Sequence, residues 1–219
     1  MKITFFTGAG ISEESGIPTF RTGENSIWNQ YDPDVYCNIR SWPQHKEKML
    51  EFMNMLRKSV LDCSPNQGHV LIAELEKKHD VNVVTTNVDD LHERAGSTNV
   101  IHIHGNILEN CDLNKKHVSY SKQDIKLGDI HPKSKMQLRH NIVMFGEMPY
   151  NIAKAKTAIN RADILVVVGT SLSIYPAAGL VFSSPCEKRY YVDPSGLGID
   201  GYEVISKKAS EGLEFLKYL

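Results

Sequence analysis

Two histidines stand two residues apart in "VIHIHGN" (100–106), and the second, His104, sits where the apolar run meets Gly105. In a strand, His102 and His104 would face the same side. An imidazole titrates near neutral pH, so a histidine held in a crevice can act as a general base; a lone histidine at a strand end can equally be structural. A second polar cluster, Asn87, Asp89, Asp90 and His92, follows the run "VVTT" (83–86). Side chains at the carboxyl end of a strand face the ligand crevice of an open α/β sheet, where Asn and Asp can bond an amide and a ribose. The same residues also cap helices.

Three further stretches carry possible binding chemistry. In "FFTGAGISEESGIPTFR" (5–21), Gly8 and Gly10 follow a β-like run and would let the backbone turn tightly and approach a phosphate. The dinucleotide fingerprint G-x-G-x-x-G is not met, because the next glycine, Gly16, comes too late. Phe20 and Arg21 end this loop, suited either to covering a nucleotide and pairing its phosphates or to filling the core and capping the surface. In "VVVGTSLSIYPAAGL" (166–180), Gly169, Thr170 and Ser171 form another strand-to-helix turn. Asp193 in "YYVDPSG" can accept ribose hydroxyls or simply form the turn before Pro194.

These residues need a scaffold. Apolar, β-branched runs at 3–6, 81–84, 100–103 and 164–168 predict buried strands of a parallel sheet, with weaker candidates at 142–145 and 190–192. Helical patterns lie between them, in "HVLIAELEKKH", "YNIAKAKTAINRA" and "PAAGLVF", and "ASEGLEFLKYL" predicts a closing amphipathic helix. The alternation predicts an α/β fold, a doubly wound parallel sheet. Residues 22–62, with the helical stretch "PQHKEKMLEFMNMLRKSVL", and the aperiodic residues 106–141 break the rhythm and predict an inserted small lobe. The sheet would then comprise residues 1–21, 63–105 and 142–219.

The 219 residues suit one α/β domain. The chain is 41% hydrophobic and 23% charged, with 25 basic against 26 acidic residues, which gives no reason to expect nucleic acid or an anionic membrane as partner. The cysteines, Cys37, Cys63, Cys111 and Cys186, form no C-x-x-C pair. The longest apolar stretch, "ILVVVG", is far short of a membrane span, and a reduced, cytoplasmic protein is expected.

With "TGAGIS" (7–12), "SGIPTFR" (15–21), "IWNQYDP" (27–33), "PNQGH" (65–69), "TNVDDLHERAG" (86–96), "HGN" (104–106), "VMFGEMP" (143–149) and "GTSLSIYPAA" (169–178), the chain resembles the sirtuins, NAD-dependent protein-lysine deacylases. The resemblance implies a Rossmann-like sheet with a small lobe, NAD and acyl-lysine meeting between them, and a protein or peptide as partner. It implies that Gly8, Ala9, Gly10 and the loop through Ile17, Phe20 and Arg21 bind NAD. Thr86, Asn87 and Asp89 would line the nicotinamide side, and His104 would be the base on the ribose hydroxyls. Gly169, Thr170, Ser171 and Asp193 would hold the adenosine side. Val143, Phe145 and Gly146, with Met53 and Leu56, would line the acyl-lysine tunnel. The products would be nicotinamide, free lysine and O-acyl-ADP-ribose.

Four departures from the family pattern stand out. Its four-cysteine zinc module lies between the "HG" and "FGE" motifs, where this chain has only Cys111; His117, His131 and His140 are scattered there without ligand spacing, so no zinc is expected. The family's Thr-Gln-Asn reads Thr85-Thr86-Asn87. Members that remove acidic acyl groups carry a Tyr and an Arg where this chain has Met53 and Leu56, which favours a neutral acyl group, with Arg57 one position away leaving that point open. Asp193 replaces the usual Asn and favours NAD over NADP. Two alternatives stand beside deacylation: ADP-ribosyl transfer or NAD hydrolysis on the same scaffold, and a catalytically silent NAD-binding module.

Overall fold

The strand β1 (Lys2–Thr7) is buried from Ile3 onward and has neighbours on both sides. The computed structural model describes residues 1–21 and 23–218; Thr22, at the edge of the expected insertion, and Leu219, at the end of the expected closing helix, lie outside the described residues. On one side β1 pairs in parallel with β2 (Asp80–Thr85), which pairs with β3 (Val100–His102). On the other it pairs with β7 (Ile164–Val168), then β8 (Lys188–Val192) and β9 (Glu203–Ile205), all parallel. The order β3-β2-β1-β7-β8-β9 reverses direction between β1 and β7, and that switch point is where an open α/β sheet opens its ligand crevice.

Both faces of the sheet are covered, which is why its strands read as unbroken apolar runs. One face packs α5 (Gln67–Leu75) and α9 (Ala209–Gly212), through Leu71, Ile72, Leu75 and Ala209, against Ile3, Phe5 and Val166. The other packs α7 (Ile152–Asn160) and α8 (Ala177–Phe182), through Ala155, Ile159 and Val181, against Phe6, Val84 and Val167. The short α1 (Gly10–Glu13) follows β1, and α6 (Leu91–Ala95) follows β2.

The remaining elements gather to one side. They are α2 (Ile27–Gln30), α3 (Pro33–Tyr36), the long α4 (Trp42–Asp62) and a three-stranded antiparallel sheet of β4 (Gly105–Asp112), β5 (Val118–Tyr120) and β6 (Leu138–Ile142), ordered β5-β4-β6. They share one core, including Ile27, Trp42, Phe52, Met53, Ile107, Leu108 and Met144. Arg57 knits it together. Its fully buried guanidinium donates to the carbonyls of Ile107 (2.8 Å), Gln123 and Glu109 and to Asn110 Oδ1 (2.7 Å). Asn54 adds a reciprocal pair with the backbone of Ile125, both bonds 2.9 Å.

Several sequence expectations change. The segment 106–141 is not aperiodic coil: it supplies most of the small sheet, whose short strands are defined by their partners. The strand expected at 142–145 lies at 138–142 and belongs to that small sheet, while the next residues bridge to Asn38. The third parallel strand ends at His102, one residue early. The closing helix breaks into α9 and a 3-10 turn, Glu214–Tyr218; at the end of α9, Gly212 packs so close to Val192 that a Cβ there would sit 2.3 Å from its Cγ1.

The switch point itself is a backbone crossing. Gly8 N–H donates to Val168 O (3.1 Å) and Gly10 N–H to Gly169 O (2.8 Å). A Cβ on Gly8 would lie 2.6 Å from Thr170 Cβ, and one on Gly169, whose φ is +61°, would lie 2.3 Å from the Ile11 nitrogen. Replacing Gly169 with Ala therefore forces both strain and overlap and is expected to lower stability by about 1–3 kcal/mol. Thermal unfolding should show a fall in Tm of several degrees; an unchanged Tm would show that the crossing yields freely.

Candidate active site

A cavity of about 850 Å³ opens above this crossing, between the parallel sheet and the small lobe. Gly8, Ala9, Gly10, Gly169, Thr170 and Ser171 form its floor, and Asp193 lies at the same end. Phe20, Arg21, Thr86, Asn87 and His104 line its middle. Met53, Leu56, Val143, Phe145 and Gly146 line the rest. The structure thus brings together nearly every residue that the sequence nominated.

Two nominated residues do not line it. Ile17 packs into the small-lobe core. Asp89 is buried behind Asn87 and reaches the wall through Ser12, whose hydroxyl donates to Asp89 Oδ2 (3.0 Å) and accepts from Asn87 Nδ2 (3.1 Å). Leu91 N–H donates to the other carboxylate oxygen, an N-terminal turn bond for α6. Burial pushes Asp89 above its ordinary value, partly offset by the Leu91 and Ser12 bonds. Asn87 is held further by its own N–H to Thr85 Oγ1 (3.0 Å).

His104 follows β3, with Nδ1 3.1 Å from the Thr86 carbonyl oxygen. A carbonyl can only accept, so Nδ1 carries the proton and Nε2 has its lone pair available. Burial lowers the pKa of this ring, with Arg21 nearby adding to the effect and the Thr86 carbonyl opposing it, so the ring is neutral at neutral pH. The Thr86 hydroxyl turns away to donate to Thr7 O (3.1 Å). Asp193 lines the cavity and makes the turn expected of it, accepting the Ser195 N–H (2.9 Å).

The small-lobe end is walled by residues that sequence reasoning missed. Trp28 stacks at 5.5 Å from Phe20, 5.9 Å from Phe52 and 6.1 Å from Phe145, and Cys37, Val88, Ile142 and Met144 complete an apolar wall. The clustering of "IWNQYDP" with the α4 sequence exists only in three dimensions. The backbone of Phe145 is committed to Cys37 and Ile39, and Val143 N–H to His104 O, so these groups hold the wall itself. Arg57 faces the small sheet, and no cationic side chain from α4 lines the cavity among the described residues.

The donors of a four-cysteine metal site are not assembled. Cys111 is buried, its thiol directed to His140 O at 3.8 Å, and the other cysteines lie outside the segment. His117 and His131, scattered in sequence, are brought together: their rings stack at 4.4 Å, and their nitrogens lie within 4.8 Å of one another and of Asp112. The turns there already engage Asp112 and His131. Asp112 Oδ1 accepts Lys116 N–H, and His131 Nδ1 faces the N–H groups of Lys133 and Ser134, which opposes the Nδ1-protonated tautomer that ligation through Nε2 needs. His140 lies apart, buried, its pKa pushed down to about 2 by burial and the nearby Arg57 and Arg139.

Residues 8–176 match the Sir2 family model. This chain belongs to the Sir2 family. It is 39% identical over 228 residues to an NAD-dependent protein deacylase of Bacteroides thetaiotaomicron, covering 99% of this chain and 97% of that one. It is 40% identical over 194 residues to one of Helicobacter pylori, covering 88% and 84%. Among solved structures, a Sir2 homolog–NAD complex superposes with a TM-score of 0.85 at 32% identity, covering 98% of this chain and 87% of that one. A Sir2–p53 peptide–NAD+ complex superposes with a TM-score of 0.81 at 29% identity, covering 99% and 92%. The Rossmann-like α/β fold with a small antiparallel lobe is the Sir2 fold.

Ser12 is the hinge of the polar wall of this Sir2 site. Ser12→Ala leaves the Asn87 amide and the Asp89 carboxylate each one partner short in a buried setting, and is expected to cost about 1–3 kcal/mol. Denaturant unfolding measures it; a variant as stable as the parent would show that the Asn87–Ser12–Asp89 chain does not hold the wall.

Proposed function

We propose that this protein removes neutral acyl groups, acetyl among them, from lysine side chains of proteins or peptides, using NAD and releasing nicotinamide and O-acyl-ADP-ribose. The observation that carries the reading is the place of His104, at the junction of a polar compartment and an apolar one in a single cavity. The glycine-rich floor admits close approach of a pyrophosphate, where any Cβ on Gly8 or Gly10 would collide with the neighbouring loop. Bound NAD supplies an electrophilic ribose carbon as nicotinamide departs. Asn87, backed by Ser12 and Asp89, holds the nicotinamide side, Ser171 and Asp193 the adenosine side, and Arg21 the phosphates. Phe20, packed on Trp28, keeps water from the reacting face of the ribose. His104 Nε2 takes the proton of a ribose hydroxyl, and its Nδ1–H bond to Thr86 holds that tautomer.

The acyl-lysine enters along Val143, Phe145 and Gly146, with its acyl end against Met53, Leu56 and Trp28. With Arg21 engaged by the phosphates and no cation offered by α4 among the described residues, a carboxylate there would be buried unpaired, so an acetyl peptide is expected to react about a hundredfold faster than a succinyl one. The near-balanced charge gives no support to a nucleic-acid role, and the four free thiols fit the reducing cytoplasm. ADP-ribosyl transfer or NAD hydrolysis is the second reading, favoured by Thr86, whose hydroxyl is tied to Thr7 rather than reaching the ribose.

One assay separates them: protein and NAD with and without an acetyl-lysine peptide, following nicotinamide, deacylated peptide and acylated ADP-ribose. Peptide-dependent nicotinamide release with acylated product is expected; peptide-independent loss of NAD would favour the second reading, and binding without turnover would leave a silent module. His104→Ala is expected to reduce deacylation roughly 10²–10⁴-fold. Because the pKa of His104 is lowered, the base is lost only on acidification below the ordinary 6.5, so the acid limb of the rate profile should lie below that value. An acid limb above it would assign the titration to another group.

A further inference from the structure

His102 is not among the residues lining the cavity, yet its ring meets two acceptors. Nδ1 lies 3.1 Å from the Asn87 carbonyl oxygen and Nε2 lies 2.8 Å from Glu93 Oε1. A neutral imidazole has one N–H and would leave one of these contacts as two opposed lone pairs. Both are satisfied only when both nitrogens carry protons. The charges around the ring agree: Glu93 on α6 and Asp89 before it are acidic, and His92, on the same helix, is kept neutral by burial. Burial opposes the charge on His102, but Glu93 and the Asn87 carbonyl outweigh it and leave the ring above its ordinary pKa.

The two bonds differ in consequence. Asn87 is 3% exposed, whereas the Glu93 side chain is 40% exposed and can be hydrated if it loses its partner. The bond that matters is therefore the one to Asn87, which joins the bonds from Asn87 N–H to Thr85 and from its side chain to Ser12 in fixing that residue. We propose that His102, as an imidazolium bridging Glu93 to the Asn87 carbonyl, is a positioning residue that sets the Asn87–Asp89 wall for the nicotinamide carboxamide. The proposal rests on the reading of that wall as the nicotinamide side of a deacylase site.

Two isosteric variants separate the bonds. Asn at 102 places its amide nitrogen near the position of Nδ1 and keeps the donor to Asn87; Gln places it near Nε2 and keeps only the Glu93 contact. Nicotinamide is titrated into the ADP-ribose-loaded protein by NMR, and 15N shifts of the histidine rings are recorded at pH 7. In the parent protein both His102 nitrogens are expected to be protonated. His102→Gln is expected to weaken nicotinamide about tenfold and to raise KM for NAD more than it lowers kcat, whereas His102→Asn keeps nicotinamide affinity within about threefold. One unprotonated ring nitrogen in the parent, or equal effects of the two variants, would overturn the proposal. A parent protein that releases no nicotinamide with acyl peptide overturns the deacylase reading instead; the titration and the ring protonation still decide the role of His102.

Discussion

The backbone crossing of the loops after β1 and β7 is the constraint on which the rest of the site depends. Three glycines let the two segments pass with no side chain between them, the loop after β1 donating two N–H groups to the carbonyls of Val168 and Gly169. The floor of the cavity is therefore main chain, with its amides and carbonyls already in register with the sheet. Thr7 sits level with Val168 and Thr85, so the ends of the three central strands reach the same depth. Everything above inherits that level: Thr170 and Ser171 on one side, Thr86 and Asn87 on the other.

Next to this floor lies a buried polar layer that rigidity alone would not require. Thr7 Oγ1 donates to Thr85 Oγ1 (2.9 Å) and lies 3.0 Å from His92 Nε2, and Asn87, Ser12 and Asp89 continue the set. Inside a low-dielectric setting, such groups are costly unless partnered, and here each partner also fixes the next. The two histidines of "VIHIHGN" show how partners decide protonation. Both place Nδ1 against a carbonyl, Thr86 for His104 and Asn87 for His102. Only His102 also meets a carboxylate. Two like residues, two positions apart, thus take opposite charge states: a neutral ring able to accept a proton, and a cation that holds its neighbour in place.

The parallel sheet was legible because strands covered on both faces must be apolar throughout, and 3–6, 81–84 and 164–168 are. The small sheet was not, because β5 is fully exposed and β4 alternates irregularly past a bulge near Asn106; their pairing depends on chain segments far apart in sequence. The polar residues of the site were legible from their places after strands. Their depth was not: Asp89 reads as a wall residue in sequence and lies one layer behind, because Ser12 comes between. Trp28 and Phe52 carried no local signal, since their role arises where α2, α4 and the segment after β6 meet.

Helix α4 explains why the acyl end of the cavity is apolar and why this is not easily changed. Phe52, Met53 and Leu56 face the cavity, while Asn54 and Arg57 face the small sheet and hold it by its backbone. Arg57 is sequence-adjacent to Leu56 and could be mistaken for a receptor of an acidic acyl group. Turning it into the cavity would strip its donors from the carbonyls of Ile107, Glu109 and Gln123 and deprive the buried Ile107 acceptor of this partner. The same helix would lose its hold on the lobe that completes the cavity. A cation for an acidic acyl group must therefore be supplied by a different position, such as 53 or 56, whose side chains reach the cavity and bind nothing else in the lobe by hydrogen bonds.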